Sequence, residues 1–126
     1  MSLTQNAAVS LFLVALSSLP AFAAGERAIQ IQFISTGPGI DYEAKDAIVE
    51  YATRVNQVER ALNKMLNKPW GREGEITYCL EFATSEYVRE NAELEVRKIL
   101  SVQIERKPTR YRLLPDCSVP EALSYF

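Results

Sequence analysis

The chain contains no histidine among its 126 residues. Histidine is the commonest general base and the commonest metal ligand in proteins, so neither a Ser-His-Asp site nor a Cys-His site can be built from this sequence. The only two cysteines, Cys79 and Cys117, lie too far apart for a CxxC redox or metal motif. The residue types therefore predict no bound metal and no cofactor, and they favour a binding role over catalysis.

Charge is absent from the first twenty-five residues, and the first charged side chain is Glu26. Ala7–Leu19 is an apolar run of signal-peptide length that is short for a membrane span. Pro20 ends the run, and Ala21-Phe22-Ala23 supplies the small residues that a signal peptidase reads. The pattern predicts a cleaved signal peptide at residues 1–23. A retained N-terminal anchor is the alternative, because no Lys or Arg precedes the apolar run.

Residues 24–126 then have the length of a single domain, and we expect them to be periplasmic or secreted, with no membrane span after cleavage. The chain has 14 basic and 16 acidic residues, and this net charge of −2 argues against a general nucleic-acid binder. Its 48% hydrophobic content is enough for a packed core. We expect the partner to be an envelope protein or another surface component.

Export also changes the interpretation of the two cysteines. In an oxidising compartment the simplest arrangement is one disulfide between Cys79 and Cys117, with two free buried thiols as the alternative. Closing a loop of this length stabilises a chain by roughly 3–4 kcal/mol in the chain-entropy model. The sequence therefore predicts a disulfide-stapled domain.

Hydrophobic periodicity predicts an α+β fold. Arg27–Ser35 and Glu75–Ala83 alternate as half-buried strands, and Asp41 is a good N-cap for a first helix. A second helix begins at Thr84-Ser85, and Ser101–Arg106 is predicted to be the last strand, with Val102 and Ile104 facing inward.

Residues 58–68 fit two interpretations. Their apolar residues continue the period of the first helix, which would give a β-long α-β-α-β order. We favour an edge strand over Val58–Lys68, where Pro69 is tolerated because one backbone donor needs no partner. The predicted order is then β-α-β-β-α-β, a two-layer sandwich of the ferredoxin-like type with an antiparallel sheet.

The alternation also predicts which side chains face away from the helices. On that polar face we place Gln30, Gln32, Thr77, Glu81, Gln103 and Glu105, together with Cys79. A disulfide from Cys79 would draw the C-terminal tail across the sheet. We expect Tyr111, Leu113 and Leu114 of that tail to cover part of the polar face.

One stretch offers an exposed contact. The segment Pro69–Glu75, PWGREGE, is predicted to be a turn that presents Trp70, Arg72 and Glu73. Tryptophan and arginine are the residue types most enriched at binding hot spots, so these three residues are the candidate binding site. The competing interpretation is a hairpin bend in which Trp70 packs over the sheet edge.

Three function classes follow from these observations. The favoured one is a small, exported, non-catalytic binding domain that acts through the Trp70–Glu73 turn or the polar sheet face. The second is a hydrolase or transferase that uses carboxylates and the Gly37–Gly39 loop, which joins a strand to a helix N-terminus as phosphate loops do. The third is a structural subunit of an envelope assembly, in which a neighbour's strand completes the edge at Val58–Lys68.

Overall fold

The computed structural model describes residues 25–102 and 107–118. The elements, in chain order, are β1 (Ala28–Phe33), α1 (Tyr42–Arg54), β2 (Leu62–Pro69), β3 (Ile76–Phe82), α2 (Ser85–Tyr87), α3 (Glu93–Ser101) and β4 (Thr109–Leu114). Two π-helical turns, Val55–Glu59 and Val88–Ala92, continue α1 and join α2 to α3. The predicted signal peptide at residues 1–23 lies outside the described residues.

The four strands form one sheet in the order β2-β3-β1-β4, and every pair of neighbours is antiparallel. The two helical segments pack on one face of it, so the predicted α+β class and antiparallel sheet are confirmed. Residues that alternate along β1 and β3 supply the sheet side of the core, and apolar residues at helical spacing supply the other side. The largest of these buried side chains are Ile29, Ile31, Phe33, Leu80, Phe82, Ile48, Val55, Val88 and Val96.

The helices begin where the capping residues predict. The carboxylate of Asp41 accepts a hydrogen bond from the backbone N–H of Ala44 at 3.0 Å, which satisfies one unpaired donor of the first turn of α1. The hydroxyl of Thr84 accepts from the backbone N–H of Tyr87 in the same way.

The edge strand is confirmed, although it starts later than predicted. Val58 is not part of it, because the helix continues through the π-helical turn to Glu59, where Val58 is 75% exposed. Arg60 then takes a left-handed conformation at φ 51°, which ends the helix and redirects the chain into β2. β2 pairs along its length with β3 and has a bulge between Leu62 and Lys64.

The predicted last strand is wrong at its described residues. Ser101 ends α3 and Val102 is in a turn, 72% exposed rather than directed inward, while residues 103–106 lie outside the described residues. The strand that occupies the second edge is Thr109–Leu114. Tyr111, Leu113 and Leu114 are therefore part of the sheet itself and do not form a tail that covers it.

Candidate functional site

The face of the sheet opposite the helices is the candidate surface, and we call it the outer face. Successive strand residues point to opposite faces, so the register of the four strands assigns each side chain to one side. Twelve side chains define the outer face: Ala28, Gln30, Gln32, Lys64, Leu66, Lys68, Thr77, Cys79, Glu81, Arg110, Arg112 and Leu114.

The charges on the outer face are predominantly positive. Lys64 and Lys68 are exposed on β2, and Arg110 and Arg112 are exposed on β4. Glu81 is the one anionic residue among the twelve. Because neighbouring strands lie about 4.8 Å apart, the two cationic edges are separated by roughly 14 Å. A chain whose formal charge is −2 thus has a cationic sheet face.

The centre of the outer face is buried, and three contacts cover it. The indole N–H of Trp70 donates to the hydroxyl of Thr77 at 3.1 Å, and the guanidinium of Arg112 donates to the side-chain oxygen of Gln30 at 2.9 Å. The third contact is the disulfide to Cys79, described next. Long side chains and one indole therefore lie over β1 and β3.

The predicted disulfide between Cys79 and Cys117 is confirmed, with an S–S distance of 1.99 Å. It lies on the outer face in a small apolar cluster with Ala28, Leu66 and Leu114. The backbone N–H of Cys117 also donates to Glu81 at 3.1 Å. The bond therefore ties the chain that follows β4 to the central strand β3.

The two ends of the outer face differ in charge. Near the disulfide, Asp116 adds a second carboxylate. Hydrogen bonds from Ser118 lower the pKa of this carboxylate, and the positive charge of Lys64 lowers it to a smaller extent. The opposite end is the row Lys68, Thr77, Gln32 and Arg110, next to Trp70, and it has no anionic member. This cationic end is where an anion would be stabilised most.

Two side-chain amide atoms at the centre of the outer face lack hydrogen-bond partners. They are Nε2 of Gln30 and Oε1 of Gln32, both on β1. Gln30 is fully buried and Gln32 is 2% exposed. Since an unpaired buried polar group costs about 1–3 kcal/mol, an unpaired donor and an unpaired acceptor two positions apart on β1 require an explanation.

The hairpin loop between β2 and β3 contains the three residues that the sequence singled out. Trp70 is half-buried, whereas Arg72 and Glu73 are exposed. The backbone N–H of Trp70 donates to the carbonyl of Glu75 at 2.9 Å, and the buried carboxylate of Glu75 accepts from the backbone N–H of Glu73 at 2.7 Å. The loop is thus built around Glu75, and a binding role for Trp70, Arg72 and Glu73 stays a prediction.

Two glycines allow this loop to form. Gly71 and Gly74 have φ values of +71° and +87°, which favour glycine. A Cβ on Gly71 would lie 2.5 Å from the carboxylate of Glu75, and a Cβ on Gly74 would lie 2.6 Å from the hydroxyl of Tyr42. Close approach of these side chains fills the space that a larger residue would need.

A second candidate location lies at the Gly37–Gly39 loop. A cleft of about 350 Å³ is lined there by Pro38, Ile40, Asp41, Tyr42, Glu43 and Lys107. The ammonium of Lys107 donates to the carbonyl of Pro38 at 2.9 Å. Asp41 is 5% exposed, and its second carboxylate oxygen has no hydrogen-bond partner.

Two tyrosines of the helical segments pack at the hydrophobic core, Tyr51 within it and Tyr87 against it. The hydroxyl of Tyr87 donates to the carboxylate of Glu59, and its ring stacks on Phe82 at 5.1 Å. Burial and this hydrogen bond raise the pKa of Tyr87 to about 12. Burial also raises the pKa of Tyr51, whose hydroxyl has no partner.

Sequence reasoning found part of this surface. It placed Gln30, Gln32, Thr77 and Glu81 on the face opposite the helices, while Gln103 and Glu105 lie outside the described residues. It missed Lys64 and Lys68 on that face. The alternation of Thr109–Leu114 was the available signal for Arg110 and Arg112, since it puts both arginines on one side.

None of the helices in the described residues has both the length and the apolar character that a membrane crossing needs. Within residues 25–102 and 107–118, no group of three or more His, Cys, Asp or Glu side chains is placed to hold a metal ion. No protein-family model, no curated protein and no solved structure matches this chain.

Proposed function

We propose that this protein is a small, exported, non-catalytic binding domain, and that its contact surface is the outer face together with the Trp70–Glu73 turn. One observation carries the proposal. Lys64, Lys68, Arg110 and Arg112 lie exposed on one sheet face of a chain that is net acidic. Positive charges that share a face repel one another, so a face whose twelve residues include four cations and one carboxylate favours an anionic partner.

The turn and the outer face form one continuous surface. Trp70 reaches Thr77, which lies in the row between Lys68 and Gln32, and Arg72 and Glu73 project from the same loop. A half-buried indole that is already hydrogen-bonded is a rigid edge for this surface. Its role is to border the contact, with Arg72 and Glu73 as the exposed groups beside it.

In this proposal, residues 24–126 form a single disulfide-stapled domain. The domain is periplasmic or secreted after residues 1–23 are removed. The disulfide supports an oxidising location. We also infer the ferredoxin-like class. In its support, β1 lies between β3 and β4, β2 is at the edge beside β3, and all pairs are antiparallel.

Affinity capture from an envelope extract of the producing organism tests this function. The baits are the parent chain, an outer-face variant (Lys64→Gln/Lys68→Gln/Arg110→Gln/Arg112→Gln) and a turn variant (Trp70→Ala/Arg72→Ala). A matched control removes four cations from the helices (Lys45→Gln/Arg54→Gln/Arg89→Gln/Lys98→Gln). All baits are first shown to be folded by circular dichroism.

The expected result is a component that the parent and the helix control retain and the outer-face variant loses. The turn variant should retain less of it than the parent. A component that all four baits hold equally, or that only the helix control loses, would contradict the proposed surface.

A second candidate function is hydrolysis or group transfer at the Gly37–Gly39 cleft. The observation that favours it is the unpaired oxygen of Asp41 in a cleft that also contains Lys107. Asp41→Asn keeps an N-cap while it removes the carboxylate, so folding and chemistry are separable. Turnover of phosphate or carboxylate esters by the parent that Asp41→Asn abolishes would establish this function; equal turnover by both would exclude Asp41 as the reacting group.

The third function, a subunit completed by a neighbour's strand, has less support. β2 carries Lys64, Lys68 and Pro69 and contains a bulge, and these features discourage strand pairing at an edge. A concentration-independent monomer in sedimentation analysis would exclude it.

A further inference from the structure

We propose that the ligand of the outer face is an acidic polysaccharide, an inference that rests on the proposed function and names its partner class. Its anionic groups are bound by the exposed side chains of Lys64, Lys68, Arg110 and Arg112. Its hydroxyl groups pair with the unpaired Nε2 of Gln30 and the unpaired Oε1 of Gln32.

The separation of the cations indicates a ligand with several charges. Lys68 and Arg110 belong to the same row of the sheet but to opposite edge strands. Three strand spacings put their backbones roughly 14 Å apart. A single carboxylate, sulfate or phosphate group cannot touch both edges, whereas a polymer with repeated anionic groups engages both at once.

The chemistry of the centre favours a ligand rich in hydroxyl groups, such as a polysaccharide, over an acidic peptide. The orphaned group of Gln30 is a donor and that of Gln32 is an acceptor. A hydroxyl both donates and accepts, so sugar hydroxyls can pair with either atom. The ionised side chains of an acidic peptide only accept, so its donors are confined to backbone N–H groups, whereas each sugar unit carries several hydroxyls that both donate and accept.

Access to the two amides requires movement of the side chains above them. Arg112 is exposed and holds the oxygen of Gln30 from above. An arginine side chain can turn away without backbone movement, because its charged end lies in solvent on a flexible stem. Binding then replaces the contact of Arg112 with Gln30 by contacts of both residues with the ligand.

A membrane surface fits this face less well. Proteins that bind in the membrane interface insert apolar side chains below the headgroups. The large apolar residues that are most exposed in the described part of the chain are Tyr42, Val58, Leu94 and Val102. They belong to the helical segments and their ends, and none is among the twelve residues of the outer face.

The test is a titration of the disulfide-intact chain with defined probes, in which isothermal calorimetry measures the binding. Dextran sulfate and polygalacturonate are the acidic polysaccharides, and uncharged dextran is their matched control. Poly-glutamate and vesicles of phosphatidylcholine with phosphatidylglycerol represent the other polyanions. We expect binding to both acidic polysaccharides and none to dextran. The affinity should fall as salt is added, because the Debye length shortens to about 3 Å at 1 M ionic strength.

Variants then locate the binding. The outer-face variant defined above should bind dextran sulfate at least about tenfold more weakly, because four charge-assisted contacts are removed. The helix control, with the same change in net charge, should bind as the parent does. Gln32→Met removes the unpaired acceptor, so we expect it to fold with equal or greater stability and yet to bind polygalacturonate more weakly.

Three results would overturn the inference. They are equal or tighter binding to poly-glutamate or to vesicles, equal weakening by the helix control, and unchanged affinity in Gln32→Met. If no acidic polysaccharide binds while envelope capture still depends on the outer face, the partner class is wrong and the proposed function stands. If neither polysaccharide binding nor envelope capture is changed by the outer-face variant, the proposed function itself fails.

Discussion

The indole N–H of Trp70 lies 3.1 Å from the hydroxyl of Thr77, a fully buried residue near the start of β3. This bond holds the hairpin loop down onto the outer face. It also accounts for the half-buried state of the one tryptophan in the chain. Trp70 is therefore part of the fold as well as the border of the proposed contact surface.

Trp70→Phe should destabilise the chain by about 1–3 kcal/mol, because it leaves the buried hydroxyl of Thr77 without its partner. The free energy of unfolding in urea measures the effect. Thr77→Val and the double variant complete a double-mutant cycle, in which we expect a coupling energy of about 1 kcal/mol. A coupling energy near zero would show that the bond between Trp70 and Thr77 does not contribute in solution.

Removal of the disulfide should cost more than any single hydrogen bond. Cys79 and Cys117 are 38 residues apart, and closing a loop of that size stabilises a chain by about 4 kcal/mol in the chain-entropy model. We expect Cys79→Ala/Cys117→Ala to lose about this much free energy of unfolding, measured by urea denaturation. A stapling role would be contradicted if the free energy of unfolding fell by no more than the small amount expected from replacing two buried side chains by alanine.

A side chain at Gly74 should destabilise the hairpin loop. Its φ of +87° costs an alanine about 1–2 kcal/mol, and the new Cβ would push on the hydroxyl of Tyr42. Gly37→Ala is the matched control, because nothing lies within 4 Å of a Cβ at that position. We expect thermal unfolding to show a lower Tm for Gly74→Ala and an unchanged Tm for Gly37→Ala. Equal Tm values for the two variants would mean that the loop conformation differs from the one described.

Alkaline pH should weaken the fold through Tyr87. Its pKa is raised from 10.0 to about 12, so the folded state holds its proton more tightly than the unfolded state does. The resulting stability is fully present below pH 10 and is lost as the pH rises towards 12. We expect the urea midpoint to fall over this interval, and to fall less in Tyr87→Phe. If parent and variant lose the same stability, Tyr87 is not the group responsible.

Local patterns were sufficient for the central elements. Alternation identified β1 and β3, and Asp41 marked the start of α1, because each signal depends on residues that are neighbours in the chain. The second edge strand was misplaced because Val102-Gln103-Ile104-Glu105 alternates as strands do. Packing of the apolar stripe of α3 on the sheet extends that helix to Ser101 instead.

The candidate surface depended on contacts that no local pattern reveals. Lys64 faces outward only because a bulge separates it from Leu62, and a bulge leaves no mark in the residue types. The contact of Trp70 with Thr77 depends on the register of β2 with β3 and on two glycines with positive φ. These are tertiary relationships, and they decide that the tryptophan lies on the sheet and not in solvent.

The most direct test of the central claim is lysine acetylation footprinting of the parent chain, read by mass spectrometry with and without envelope extract. Lys64 and Lys68 lie on the outer face, whereas Lys45 and Lys98 lie on the helices and act as internal controls. The proposed function predicts that extract protects Lys64 and Lys68 from acetylation and leaves Lys45 and Lys98 as reactive as before. Protection of Lys45 and Lys98 instead, or equal reactivity of all four lysines in both samples, would contradict it.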